Sequence, residues 1–243
     1  MAVQIKTAKE SAISQGIKCL VHGPSGAGKT VLSTTTGEKT LIISAEAGLL
    51  SIRDADVDVV EVSTIDDVSE VYAMLAAGTD YQWICLDSIS EIGEVLLANE
   101  KAATKDPRQA YGALIDKMGE LVRGFRDLKG YNVLMTAKQE RIKDEDTGSI
   151  LYMPSMPGAK LAQSLPYWFD EVFAYRVEKD PEGNIYRVLQ TSRDLTHEAK
   201  DRSGALLLFE EPDLSKIAAK IRGTKPTNTT NTTNTTTTQP TGE

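Results

Sequence analysis

The chain has 243 residues, of which 40% are apolar and 26% charged, the balance of a soluble globular protein that can bury a sizeable core. Its net charge of −8 argues against a generally basic protein that coats nucleic acid, although local basic loops remain compatible with it. With no run of 18 apolar residues and only two cysteines, Cys19 and Cys85, we expect no membrane span, no disulfide scaffold and no zinc site. Residues 1–16 lack the apolar region of a secretory signal, so we expect a cytoplasmic protein with reduced cysteines.

Residues 17–223 alternate between strand-like and helix-like stretches. The predicted strands are Ile17–His22, Thr40–Ser44, Val57–Val62, Trp83–Asp87, Asn132–Ala137, Ile150–Met153, Glu171–Val177, Ile185–Thr191 and Ala205–Phe209. The predicted helices are Lys29–Thr36, Ile65–Ala77, Ser90–Glu100, Pro107–Lys129, Gly158–Leu165 and Asp213–Arg222. The early strands are short and apolar, which suits a parallel sheet buried on both faces, and the closely spaced later strands favour an antiparallel extension. The fold class is therefore α/β, with right-handed crossovers.

The domain organisation follows from composition. The last twenty residues, from Thr224, have no apolar side chain and cannot offset their ordering entropy by burial. We therefore expect one folded domain, residues 1–223, and a disordered tail rich in threonine and asparagine, residues 224–243.

The strongest motif follows the first predicted strand, which ends at His22, a residue that we interpret as a packed histidine. Its residues are Gly23, Pro24, Ser25, Gly26, Ala27, Gly28, Lys29 and Thr30. This pattern between a strand and a helix is typical of a phosphate loop, in which backbone N–H groups and the helix N-terminus face phosphate oxygens. We expect it to bind ATP, with Lys29 at the β and γ phosphates and the Thr30 hydroxyl on Mg²⁺.

Two carboxylates at strand ends complete the predicted site. Asp87 ends an apolar strand and is the expected second anchor of Mg²⁺; its alternative role, with Ser88, is to cap the next helix. Glu46 follows the strand Thr40–Ser44 and is the preferred water-activating residue. Glu91 is the second candidate, and a solvated loop acid is the alternative interpretation of Glu46.

This arrangement resembles the RecA-like ATPases, which share the order of phosphate loop, strand-ending glutamate, aspartate–serine pair and polar sensor strand. By this resemblance the strand Asn132–Ala137 leads to Gln139 as the γ-phosphate sensor, although Lys138 stands where the family often has asparagine. Lys200 and Arg202 are similar to the lysine–x–arginine finger that reaches a neighbouring subunit's nucleotide. A solvated charge run is the alternative interpretation of that pair.

More specifically, residues 15–222 resemble compact phage ATP-binding proteins, the group that includes single-strand annealing recombinases. The resemblance implies a RecA-like P-loop core with a mainly parallel central sheet flanked by helices. It also implies ATP and Mg²⁺ as cofactors, single-stranded DNA as a partner, and a homo-oligomeric ring or filament. A single-strand-binding protein is a further candidate partner, no membrane is expected, and the location would be the bacterial host cytoplasm if a phage encodes the chain.

DNA contacts in such proteins come from two loops, which the resemblance places at Asn99–Ala110 and Glu140–Lys160. Their candidate DNA-binding side chains are Lys101, Lys105, Arg108, Arg141 and Lys143. The second stretch also carries four acids, which repel phosphate. Two solvated loops, one of them a hairpin, are the alternative interpretation.

Three functions therefore stay open at this stage. The first is an oligomeric ATPase in DNA recombination that binds and anneals single strands. The second is a nucleotide or small-molecule kinase that uses the same loop for phosphoryl transfer. The third is an ATP-binding adaptor with slow turnover, such as a helicase loader.

Overall fold

The computed structural model describes residues 5, 7, 15–46, 48–143 and 148–223. The tail expected at 224–243 lies outside the described residues, as do residues 144–147 of the second candidate DNA loop.

A mixed sheet forms the centre of the described part of the chain. Its strands are β1 (Lys18–His22), β2 (Thr40–Ser44), β3 (Asp58–Glu61), β4 (Trp83–Asp87), β5 (Asn132–Lys143), β6 (Ile150–Ser155), β7 (Glu171–Lys179), β8 (Ile185–Gln190), β9 (Lys200–Asp201) and β10 (Phe209–Glu210). Their order is β10–β8–β7–β1–β5–β4–β2–β3, with β6 paired to β5 and β9 paired to β7. The six strands from β3 to β7 in that order are parallel, whereas β6, β8, β9 and β10 pair antiparallel. The predicted α/β class, a mainly parallel sheet with an antiparallel extension, is confirmed.

Helices cover both faces of this sheet. They are α1 (Lys29–Leu32), α2 (Ile65–Ala77), α3 (Ile89–Ala103), α4 (Pro107–Arg126), α5 (Ala159–Trp168) and α6 (Leu214–Ile221), with a short 3₁₀ helix at Leu49–Ile52. One apolar cluster joins the sheet to α2, α3, α4 and α5, and a second joins the opposite face to α1 and α6. Strand β4 contributes Ile84 and Leu86 to the first cluster and Trp83 and Cys85 to the second. This double burial explains why the strand is an uninterrupted apolar run. None of the helices in the described ranges is long and apolar enough to cross a membrane.

Local chemistry sets several boundaries. The Thr64 hydroxyl and the Asp67 carboxylate form a reciprocal capping box at the start of α2, and Asp106 caps α4 just before Pro107. Helix α1 ends at Leu32, four residues before its predicted end. The Ser33 hydroxyl, like those of the next two residues, donates to a carbonyl three residues back, a local bond that competes with helix continuation.

Two strand predictions needed correction, and one strand was missed. β5 runs beyond Ala137 to Lys143 because its second half leaves the main sheet and pairs with β6 as a hairpin. β10 is two residues long, Phe209–Glu210, rather than the predicted Ala205–Phe209. The short strand β9 was not predicted.

Candidate active site

The carboxyl edge of the sheet gathers the predicted site. Strands β2, β4, β5 and β1 are neighbours in that order and run parallel, so their carboxyl ends lie side by side. Asp87 ends β4, Glu46 and the phosphate loop follow β2 and β1, and Gln139 lies on β5 just past its last pair with β1, His22–Ala137. This is the edge at which parallel α/β sheets bind their ligands.

Close packing explains the glycines of the phosphate loop. A Cβ on Gly23 would lie 2.9 Å from both Cβ and the carbonyl oxygen of Tyr175, so a larger residue there would displace the loop. Gly28 has a φ of 111°, in the region that favours glycine, and a Cβ there would lie 3.0 Å from the Tyr175 hydroxyl. The Lys29 ammonium donates to the carbonyl oxygens of Gly23 and Pro24 at 2.8 and 3.0 Å. Carbonyl groups of the loop itself thus hold the Lys29 side chain in position.

The predicted metal residues are in direct contact. The Thr30 hydroxyl donates to Oδ2 of Asp87 over 2.6 Å, and the Thr136 hydroxyl on β5 donates to Oδ1 of the same carboxylate. Asp87 is 4% exposed, so it is largely shielded from water. A hydroxyl and a carboxylate beside a phosphate loop are the oxygen donors that Mg²⁺ takes together with substrate phosphates, so this donor set fits the ion. Sequence reasoning missed Thr136, although a threonine in an apolar strand beside Asp87 is a usable signal.

Glu46 lies on the same edge, held in place by its neighbours. Ala45 N–H donates to the Asp87 carbonyl over 2.8 Å, which extends the pairing of β2 with β4 beyond Ser44. The Ser88 hydroxyl donates to Oε1 of Glu46. Burial lowers the pKa of Lys29, while the negative charges of Asp87 and Glu46 act in the opposite direction. Both carboxylates are therefore electrostatically close to the loop lysine.

Glu91, the second candidate for water activation, has another partner. Its carboxylate accepts a hydrogen bond from the Lys138 ammonium over 2.9 Å, and Glu94 accepts another from the same group over 2.7 Å. These two carboxylates raise the pKa of Lys138 against the opposing effect of desolvation. Lys138, the position that departs from the family pattern, thus links α3 to the base of the β5–β6 hairpin. The Glu91 carboxylate is engaged in this ion pair.

Gln139 contacts the end of β1. Its Nε2 lies 3.4 Å from Nδ1 of His22, and Nε2 of His22 lies 2.7 Å from the carbonyl oxygen of Glu198. His22 is fully buried, as a packed histidine should be, but its ring also joins two parts of the chain.

Two residues of the β7–β8 hairpin lie beside the phosphate loop and were missed from the sequence. Arg187 Nε donates to the Ala27 carbonyl over 2.9 Å, and Tyr175 packs against the loop glycines. Arg187 is exposed, so its guanidinium is accessible to a ligand of the loop. No local motif predicts a role for Arg187, because its partner, Ala27, is 160 residues earlier in the chain.

The finger candidates lie at the opposite, amino edge. Lys200 pairs with Val172 near the start of β7, and Arg202 N–H donates to the Asp170 carbonyl over 3.2 Å. The Lys200 ammonium donates to the Pro166 carbonyl, and Arg202 forms a 2.6 Å ion pair with Asp170.

The candidate DNA-binding residues lie on two exposed regions. The first expected loop, Asn99–Ala110, is mostly helical: α3 continues to Ala103 and α4 begins at Pro107. Lys101 is on α3 with its ammonium 5.4 Å from the centre of the Tyr111 ring, and the other two basic residues of this region, Lys105 and Arg108, are exposed around the start of α4.

The second region is the β5–β6 hairpin. Arg141 and Lys143 are exposed on β5, and residues 144–147 between the two strands lie outside the described residues. The hairpin alternative is therefore the correct form of this region, and its role in DNA binding stays a prediction.

Comparison with protein-family models gives a match. A family model described as an AAA domain matches residues 15–203, more than three quarters of the chain and every candidate site residue named above. A search of curated proteins found none that matches.

Proposed function

The chain belongs to the AAA domain family, which implies ATP binding and hydrolysis in general, and from that premise we propose that it is a Mg²⁺-dependent, homo-oligomeric ATPase acting on single-stranded DNA. A role in DNA recombination, by annealing of single strands, is the finer part of this proposal and draws on the resemblance to phage annealing recombinases.

The site chemistry supports hydrolysis by a direct route. In this proposal Lys29 and the loop N–H groups neutralise the β and γ phosphates of bound ATP, and Gln139 contacts the γ phosphate. Held by Thr30 and Asp87, Mg²⁺ would stabilise charge on the phosphate oxygens. Glu46 then orients a water molecule and takes its proton as the water oxygen attacks the γ phosphorus, while the bond from that phosphorus to the β–γ bridging oxygen breaks and ADP leaves. The Ser88 contact holds this carboxylate on the ligand edge.

The proposal that the protein is a homo-oligomer is supported by the position of the finger residues, Lys200 and Arg202. Arg202 lies beside the start of β1, because Asp170 N–H donates to the Lys18 carbonyl and Arg202 N–H donates to Asp170. The phosphate loop leaves β1 at the other end, after His22. Four residues of extended strand separate these ends, which is about 13 Å. A cationic pair on the far edge of the sheet has no route to its own nucleotide, but it can complete a neighbour's site.

DNA contact is the part that depends most on exposed charge. The first basic region lies at the end of α3, the helix that follows Asp87, and the second lies on the β5–β6 hairpin, which carries Gln139 near its base. The Lys138 ion pairs join the bases of these elements. A strand bound there would therefore act on the same edge that binds ATP.

Mixed oligomers test the proposal. A Lys29→Ala chain keeps its finger but has no working loop, and a Lys200→Ala/Arg202→Ala chain has the reverse defect. Each alone should lose roughly a thousandfold or more in rate, since a finger of this kind is worth that much. Their mixture should regain part of the activity, in a manner that depends on protein concentration. Lys39→Ala, which removes an exposed lysine paired with Asp80, is the matched control and should behave as wild type.

Failure of recovery despite co-assembly, shown by light-scattering mass, would contradict a finger in trans. ATPase stimulation by single-stranded DNA separates the recombination ATPase from the alternatives. Transfer of phosphate to a nucleoside monophosphate would instead support a kinase, and tight ATP binding with little turnover and no DNA effect would support an adaptor.

A further inference from the structure

One buried ring joins the sensor glutamine to the finger segment. Nε2 of His22 lies 2.7 Å from the Glu198 carbonyl oxygen, and its Nδ1 lies 3.4 Å from Nε2 of Gln139. Burial lowers the pKa of His22 to about 4, so the ring is neutral in the physiological range. A neutral ring that donates from Nε2 to a carbonyl must accept at Nδ1, and the Gln139 amide supplies that donor.

The segment that starts at this contact ends at the finger. Residues 198–202 follow β7 in the antiparallel direction, with Lys200 opposite Val172. Glu198 therefore lies at the carboxyl edge beside His22, and Arg202 lies at the amino edge. These five residues are extended and span about 13 Å, so they connect the carboxyl edge of the sheet directly to its amino edge.

A second contact holds the segment independently of His22. Glu198 N–H donates to the Tyr152 carbonyl of β6 over 2.8 Å, and the Tyr152 ring stacks on His197 with ring centres 4.9 Å apart. Substitution of His22 should therefore leave residues 198–202 attached to the fold while removing their connection to Gln139.

We propose that His22 is a positioning residue that links Gln139 to the finger segment, so that a subunit with ATP bound orients the Lys200 and Arg202 pair that it offers to its neighbour. The proposal rests on the proposed function, since it takes Gln139 as the γ-phosphate sensor and the finger as acting in trans. It assigns to His22 a role that couples successive nucleotide sites of an oligomer.

Two substitutions each remove one of the two hydrogen bonds of His22 and keep the other. In His22→Asn the amide oxygen lies near the former Nδ1 and can accept from Gln139, but the side chain is too short for Glu198. In His22→Gln the amide nitrogen can still donate to Glu198, but the acceptor for Gln139 is lost. Lys39→Ala is the control, because Lys39 is an exposed residue paired with Asp80 and has no part in the Gln139–His22–Glu198 link or in the contacts of residues 198–202.

The measurement is the ATPase rate of the full chain against ATP concentration, with binding of a fluorescent ATP analogue and melting temperature in parallel. We expect a Hill coefficient above 1 for wild type and Lys39→Ala. For both His22 variants we expect a value near 1 and a maximal rate lower by roughly tenfold, within the usual range of coupling between sites. Analogue binding should be unchanged, because Lys29 and Thr30 are intact. A purely structural role would lower the melting temperature and analogue binding together.

Retained cooperativity in either His22 variant, or a non-cooperative wild type, would overturn the linkage. Should one variant fail to fold, the other decides. Failure of the proposed function looks different: wild type would not hydrolyse ATP, or the Lys200→Ala/Arg202→Ala chain would be fully active.

Discussion

The Thr30 hydroxyl donates a hydrogen bond to Oδ2 of Asp87 over 2.6 Å, across 57 positions of sequence. The contact joins the first turn of α1 to the carboxyl end of β4, and Thr136 donates to the other carboxylate oxygen. The two predicted metal residues are thus already adjacent, and a second hydroxyl, that of Thr136, holds the carboxylate in orientation. A preorganised oxygen pair of this kind needs little rearrangement to receive a cation.

The first prediction concerns this pair. Asp87→Asn keeps the side-chain volume and an acceptor for Thr30 but removes the charge that attracts Mg²⁺. ATP affinity, measured by calorimetry with and without Mg²⁺, should show a metal-dependent gain in wild type that falls by roughly 10- to 100-fold in the variant. Asp80→Asn, at an exposed carboxylate paired with Lys39, controls for the lost charge. An undiminished Mg²⁺ effect in Asp87→Asn would remove Asp87 from the metal site.

The second prediction separates the two candidates for water activation. Glu46→Gln preserves shape and removes the proton acceptor, so ATP should still bind while hydrolysis slows by on the order of a hundredfold or more. Glu91→Gln should have a much smaller effect, since the Glu91 carboxylate is engaged by Lys138. Steady-state rates and binding titrations of both variants check this. The opposite ranking would transfer the role to Glu91.

The third prediction concerns a residue that only the fold brings to the site. Arg187→Ala removes a guanidinium whose Nε bonds to the Ala27 carbonyl of the phosphate loop. We expect ATP affinity to fall by roughly tenfold or more, the worth of one hydrogen bond to a charged group. Lys179→Ala removes a positive charge from the exposed far end of the same hairpin and is the control. Equal affinities of the two variants would show that Arg187 supports only the hairpin.

The phosphate loop and the strand-ending acids could be predicted because their signals are local. Lys29 belongs to a loop that follows one short apolar strand, Asp87 ends another, and strand polarity alone places the ends of parallel strands on one edge. The predicted bounds of β2, β4 and α2 match the structure for the same reason. Composition and spacing over a few residues contain this information.

The rest depended on strand order, which no local pattern contains. His22 meets Glu198 only because β7 lies beside β1, and Arg187 meets Ala27 only because β8 follows β7 in the sheet. The extent of the first candidate DNA loop is a different kind of miss, because Asn99–Ala110 overlaps the helix start that was correctly predicted at Pro107. Asp106 before Pro107 is a helix start, which limits the non-helical connection to three residues after α3.

The last prediction concerns a buried carboxyl at the amino edge. Glu171 is 2% exposed, and its Oε2 has no hydrogen-bond partner among the described residues. Burial, with the nearby charge of Asp201, raises the pKa of Glu171 from 4.5 to about 8. Between pH 4.5 and about pH 8, the Glu171 carboxyl is therefore protonated in the folded protein and ionised in the unfolded chain. The resulting stabilisation is complete below pH 4.5 and is lost as pH rises through about 8.

Glu171→Gln makes this side chain neutral at every pH and keeps an oxygen for Ser203 N–H, which donates to Oε1 over 3.2 Å in the wild type. The two proteins should melt at similar temperatures near pH 5, and the variant should melt several degrees higher at pH 9. Lys18, whose pKa burial lowers to about 8, titrates in both proteins, so the difference between their melting curves isolates Glu171. Glu182→Gln, in the exposed turn after β7, controls for the loss of one negative charge. If Glu171→Gln follows the wild-type profile up to pH 9, the carboxyl is already ionised in the folded protein at neutral pH. The amino edge would then carry one more negative charge beside Arg202 than this assignment allows.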